Sequence, residues 1–127
     1  MKPKKSVPTD QELEILKVIW RRDQATVREV HHDLSQHRKI AYTTVLTMMG
    51  ILEHKGHLTR TPGERAYVYR PARSQRHVLK TMTEEFVKRV FNGAAGPLLV
   101  HLVEGPGIGE EELKEIETLV RQRRRRP

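Results

Sequence analysis

The sequence predicts a mainly α-helical chain with one small β-hairpin: a compact N-terminal domain followed by a helical segment. Three observations lead there. Apolar residues recur at helical spacing in three successive stretches between residues 9 and 56. Two short β-prone runs, His57–Thr61 and Ala66–Arg70, flank the turn sequence Pro62-Gly63-Glu64-Arg65. Beyond Pro71 the helical pattern returns, interrupted only at Gly/Pro-rich points.

Each element has a local cause. Thr9 with Glu12 three residues on forms a capping box. The helix it opens is expected to bury Leu13, Leu16 and Trp20, with Ile15 and Ile19 widening the stripe. Thr26 and Glu29 repeat the box before a second helix, whose apolar face is Val27, Val30, His31 and Leu34. A third helix starts near Ala41 and carries Val45, Met48, Met49 and Leu52 on one face. Gly56 ends it, after His54 and Lys55 in the last turn. Leu58 and Val68 are the expected core contacts of the hairpin. A long helix then runs from Ser74 to about Asn92, with Leu79, Met82, Phe86 and Val90 on one side. Asn92–Pro97 is a break, Leu98–Val103 a short apolar helix, and Gly105-Pro106-Gly107 a second break. A last helix begins at Glu110–Glu112, where acids suit the helix dipole, and buries Leu113, Ile116 and Val120.

Composition narrows the function. The 127 residues include 24 Lys+Arg and 16 Asp+Glu, a net charge of +8 that favours an acidic partner. The absence of cysteine excludes a disulfide scaffold, a thiolate metal site and a cysteine nucleophile. No secretory signal fits the start, and no run approaches the ~20 apolar residues of a membrane span. A cytoplasmic protein without membrane insertion is expected. The charge is uneven: residues 1–72 carry 13 basic and 8 acidic side chains, residues 73–120 carry 6 and 8, and five arginines follow. The expected division is a flexible basic arm (1–8), a DNA-binding domain (9–72), a helical dimerisation domain (73–121) and a disordered Arg-rich tail (122–127).

Three helices and a hairpin within about 60 basic residues form the layout of a winged helix-turn-helix domain. Its third helix can enter a DNA major groove, ~12 Å wide. Once the core face is taken, that helix presents Tyr42, Thr43, Thr44 and Thr47 early, with Leu46 nearby. Threonine supplies a hydroxyl for base edges or phosphates and a methyl for thymine. No acidic residue interrupts Arg38–Leu52.

Glu12–Trp20 as ELEILKVIW, Thr26–Val30 as TVREV, Ala41–Val45 as AYTTV, Leu52–Gly56 as LEHKG and Ala66–Tyr69 as AYVY resemble the penicillinase-repressor (BlaI/MecI) family. The similarity covers roughly residues 9–121. It implies a homodimeric winged-helix repressor of a short palindromic operator, released through a membrane-bound sensor protease pathway that responds to β-lactams. A copper-responsive branch uses cysteines, and this chain has none. By position, the resemblance puts base reading at Thr43, Thr44, Leu46 and Thr47. It puts backbone contacts at Thr26, Lys39, Tyr42, Arg60 and Arg65. Relatives often carry long basic side chains where Thr43 and Leu46 stand, so the operator sequence does not carry over. The family's cleaved Asn–Phe bond aligns with His101–Leu102.

Residues 73–120 offer about three apolar helix faces, too few to close a core alone. Leu79, Met82, Phe86, Leu98, Leu102, Leu113 and Ile116 are expected at or behind a dimer interface. Seven histidines are present, but no pair stands at i, i+4 with a carboxylate in ligand geometry, so no metal site is expected. There is no Gly-rich phosphate loop and no GxSxG, so no catalytic residue and no cofactor are expected. A sequence-tolerant nucleic-acid or nucleoid-binding protein with a C-terminal interaction module remains the alternative.

Overall fold

In a computed structural model of the chain, which describes residues 7–127, six helices and one hairpin follow in the expected order. Residues 1–6 of the expected arm lie outside the described part. Of its last two residues, Val7 is half-buried and Pro8 buried. Helix α1 (Asp10–Arg22) opens on the Thr9 box: Thr9 Oγ1 accepts from the Glu12 amide at 3.2 Å, and Glu12 Oε1 accepts from the Thr9 amide at 3.0 Å. The same Oε1 accepts from Lys55 Nζ at 2.7 Å. A buried carboxylate thus joins the start of the first helix to the residue ending the third. Ile15, Leu16, Val18 and Ile19 are the buried face. Leu13 and Trp20, expected at its centre, are its half-buried edge. Trp20 has a polar handle to satisfy, and its Nε1 donates to the Arg73 carbonyl at 3.1 Å.

Helix α2 (Val27–Ser35) repeats the box through Thr26 and Glu29 and buries Val27, Val30 and Leu34. His31 stays at the edge, half-buried. Helix α3 (Tyr42–His54) buries the expected Val45, Met48, Met49 and Leu52. Gly56 ends it at φ +86°, a conformation that favours glycine. Strands β1 (Leu58–Pro62) and β2 (Tyr67–Pro71) pair antiparallel, with Arg60 opposite Tyr69. Ala25 adds a short third rung, exchanging backbone bonds of 3.0 and 2.8 Å with Tyr69. The hairpin therefore anchors on the turn between α1 and α2. Leu58 is in the core as expected, but its partner is Tyr69, 2% exposed, rather than Val68. Strand side chains alternate, so burying Tyr69 turns Val68 to the other face.

Helix α4 (Gln75–Val90) contributes Val78 to this core, and Met82 packs against it. The first compact unit consequently extends to Thr83, beyond the expected boundary at residue 72. The second unit, Glu84–Pro127, holds the end of α4, helix α5 (Ala95–Glu104) and helix α6 (Glu110–Arg125). Helix α5 begins inside the expected break, because Pro97 is compatible with a first turn. Phe91 links Phe86 and His101, with ring centroids 6.0 Å apart in both pairs. Helix α6 corrects the expectation of a disordered 122–127 tail, since it continues through Arg125. Arginine is a good helix former, and cations are favoured in a last turn.

Candidate nucleic-acid interface

The core takes one face of α3 and leaves the opposite face outward. Tyr42, Thr43, Thr44, Leu46 and Thr47 are all exposed, Tyr42 by 44% and Leu46 by 46%. Their presentation is fixed from below. The His31 ring nitrogen Nε2 lies 2.8 Å from the Ile40 carbonyl and donates to it, which ties α2 to the turn before α3. The same imidazole meets the Tyr42 ring edge-on, with centroids 5.8 Å apart.

Beside α3 lies an open groove whose other walls are the start of α2 and the hairpin. Thr26, Tyr42, Leu46, Arg60 and Arg65, all expected site residues, line it together. Arg28 and Tyr67 line it too and were not in the expected set. Arg28, an exposed base two residues past a helix cap, carries no local signal that places it in the groove. Lys39 is exposed in the turn before α3 and does not line the groove.

The hairpin side of the groove is stiffened around Arg60. Its guanidinium carbon sits 4.1 Å from the centre of the Tyr67 ring, a cation–π distance. Its Nε is 3.4 Å from Glu53 Oε2 on α3. Hydrogen bonding to Tyr69, then the Glu53 carboxylate, raises the Arg60 pKa above its ordinary value. The wing base is thus braced against α3 by a cation that keeps its charge.

Behind the groove, α1 and α2 are locked by Asp33. Arg22 donates to both its oxygens at 2.8 Å, and Arg21 adds a contact at 3.3 Å. Chiefly through the Arg22 bonds, the Asp33 pKa falls to about 2.

An exposed helix face and a braced hairpin thus flank a groove lined by Arg28, Arg60 and Arg65 and by one carboxylate, Glu64. The profile described as penicillinase repressor matches residues 8–122. The chain belongs to the penicillinase repressor family. It is 27% identical over 124 residues to the penicillinase repressor of Bacillus licheniformis, covering 96% of this chain and 97% of the relative. It is 31% identical over 105 residues to the transcriptional regulator BlaI of Mycobacterium tuberculosis, covering 81% and 76%. The solution structure of the DNA-binding domain of the repressor BlaI superposes with a TM-score of 0.51 at 32% identity, over 59% of this chain and 88% of that one. The chain is accordingly a winged-helix, DNA-binding transcriptional repressor.

The residues expected at a dimer interface divide. Leu79, Phe86 and Leu102 are exposed, and Leu98, Leu113 and Ile116 are half-buried. Met82 is instead occupied within the chain, on the core of the first unit. Val120, expected on the buried face of α6, is 45% exposed. His101 and Leu102 are both exposed, and their peptide bond lies inside α5. Among the described residues, no helix is long and apolar enough to cross a membrane, and no group of three or more His, Asp or Glu side chains could hold a metal ion.

Proposed function

We propose that the chain is a homodimeric repressor acting in the cytoplasm on a palindromic operator. Helix α3 reads bases in the major groove through Thr43, Thr44, Leu46 and Thr47. Thr26, Lys39, Tyr42, Arg60 and Arg65 grip the backbone. The carrying observation is the groove that gathers the Thr26 cap, Tyr42, Leu46 and two wing arginines beside an outward helix face free of acids. A duplex entering there meets hydroxyls and methyls at base level and guanidinium groups at phosphate level.

Dimerisation is supported by the second unit, where no helix buries a side chain: α5 and α6 have none, and the single buried residue of α4 belongs to the first unit. Leu99, Val100, Leu102 and Val103 are each about half exposed, a state that a second copy would relieve. A C2 dimer presents two recognition helices to a palindrome. Repression is relieved by cleavage within α5 at His101–Leu102, through a membrane sensor protease pathway responding to β-lactams.

Competition with random duplex tests this reading. A specific repressor prefers its operator by ~10³–10⁷. Equal competition by random DNA would replace the repressor with the sequence-tolerant alternative.

A further inference from the structure

Helix α3 starts without the local support that its neighbours have. Helices α1 and α2 open on capping boxes, and at the start of α4 Ser74 Oγ accepts from the His77 amide. The cap of α3 is Ala41, which has no polar side chain, and its first turn carries no acid. Thr43, Thr44, Val45 and Thr47 are β-branched, so four of its first six residues lower helix propensity. The side chains proposed to read bases thus stand on a turn that its own sequence holds weakly. The support comes from α2. His31 Nε2 donates at 2.8 Å to the Ile40 carbonyl, on the peptide that leads into Ala41. A carbonyl oxygen only accepts, so Nε2 carries the ring proton, and Ser35 Oγ, 3.3 Å from the same nitrogen, is a second acceptor. The imidazole also meets the Tyr42 ring edge-on, at an interplanar angle of 77°. One half-buried ring thereby holds both the peptide before the helix and the first residue of the helix.

We propose that His31 is a positioning residue for sequence recognition. Acting through the Ile40 carbonyl and Tyr42, it holds the first turn of α3 in the direction from which Thr43, Thr44 and Thr47 meet base edges. This rests on the base-reading role proposed for α3 and makes that role depend on a side chain of α2. Hydrogen bonds to base edges weaken steeply off angle, so base reading is sensitive to the direction of the turn. Attraction between a guanidinium and a phosphate varies slowly with distance and tolerates displacement. Thr26, Arg60 and Arg65 stand on other elements and keep their places without the imidazole. Further along α3, Val45, Met49 and Leu52 are fully buried and keep the helix on the core. Loss of His31 therefore loosens one turn and costs operator preference rather than general affinity for DNA.

The test uses the full-length chain and two DNAs: the duplex that the parent selects from a random-sequence pool, and an unselected duplex of the same length. His31→Leu removes the donor and leaves an apolar side chain of good helix propensity. It should bind the selected duplex about tenfold more weakly, the effect of roughly one mismatched base pair, and the unselected duplex as the parent does. Its melting temperature should not fall. The Thr44 and Val45 amides, which donate to the Ala41 carbonyl, should exchange with solvent faster, while those of residues 48–52 stay slow. His31→Gln restores an N–H at comparable reach and should recover most of the preference and the slow exchange. Equal losses on both duplexes with a lower melting temperature would reduce His31 to a structural residue and overturn the proposal. Leucine and glutamine variants that bind both duplexes like the parent would overturn it as well. If both variants lose preference alike while exchange matches the parent, the imidazole itself touches DNA and the positioning role is overturned. A parent that selects no sequence overturns the base-reading role of α3, and this proposal with it.

Discussion

Thr44, on the exposed face of α3, and Arg65, on the hairpin wall of the groove, separate the two kinds of contact that we propose. Thr44 is exposed on α3, and its hydroxyl and methyl suit the base-reading role that we propose. Thr44→Ala is expected to cost ~1–2 kcal/mol on the operator and little on random duplex. Identical losses on both DNAs would remove it from base reading. Arg65 lies in the turn of the hairpin, where we propose a backbone contact. Arg65→Ala should weaken every sequence alike and flatten the dependence of log K on log salt by about two units in the dimer, one per subunit. Asp33 works on stability instead. Its folded pKa of about 2 lies below the ~3.9 of an unfolded aspartate. The stabilisation is therefore fully present above pH ~4 and is lost as the pH falls through 2. With the carboxylate partly open to solvent, 17% exposed, it amounts to about 1 kcal/mol once screening is allowed for. Asp33→Asn should lower the melting temperature at pH 7 and remove that component of acid unfolding. Parent and variant curves that stay parallel from pH 5 to pH 2 would show that the Arg22 bonds contribute no net stability.

Helix α3 carries an internal conflict at the scale of the element. Gly50 sits in its middle on the exposed side, and a Cβ built there meets nothing within 4 Å. A helix-interior glycine costs roughly 0.5–1 kcal/mol relative to alanine. Gly50→Ala should therefore stabilise the free protein, raising the melting temperature by a few degrees. A lower melting temperature would mean that the helix needs the glycine for its own conformation. The elements themselves were legible wherever their causes were local. Caps at Thr9 and Thr26, the Gly56 stop and the apolar periodicity of α1 to α3 each involve residues within one or two turns. What escaped was non-local or unpatterned. The Ala25–Tyr69 rung joins residues 44 apart and has no sequence signature. Tyr67, Val68 and Tyr69 are a run without alternation, so nothing in it says which parity faces the core. Arg28 lines the groove because β2 folds back over the start of α2, a contact that no single segment announces. The arginines ending α6 lack apolar neighbours and read as a tail, although the helix that precedes them carries them to Arg125.

At the scale of the whole molecule, operator affinity of the dimer that we propose depends on coupling two half-sites. Roughly four phosphate contacts per subunit, eight per dimer, give an expected slope of log K against log salt of about −7. A slope nearer −3 would mean that a single subunit engages. Residues up to Thr83 include the entire buried core, Val78 among them. A fragment ending at Thr83 should therefore fold, remain monomeric in sedimentation and bind the full operator far more weakly than the intact chain. One ending at Pro71 should also lose stability, because Val78, 2% exposed, would be gone; burying one such side chain contributes about 1.5–3 kcal/mol. Dimerisation of the Thr83 fragment as tight as that of the whole chain would place the interface in the first unit. Cleavage at His101–Leu102 follows the same logic. It leaves the DNA-binding unit whole but detaches α6 and the last turn of α5, and with them much of the exposed apolar surface available to a partner. The cleaved protein should then behave as the Thr83 fragment does. Operator affinity falls by orders of magnitude through lost effective concentration, while half-site affinity stays unchanged. The bond lies inside a helix, so a protease reaches it only after α5 opens locally. Cleavage should consequently be slower in protein held dimeric by operator DNA than in free protein. Mass spectrometry of the protein from β-lactam-treated cells should show a product ending at His101. Intact protein throughout, with the target gene derepressed, would rule out this bond as the switch.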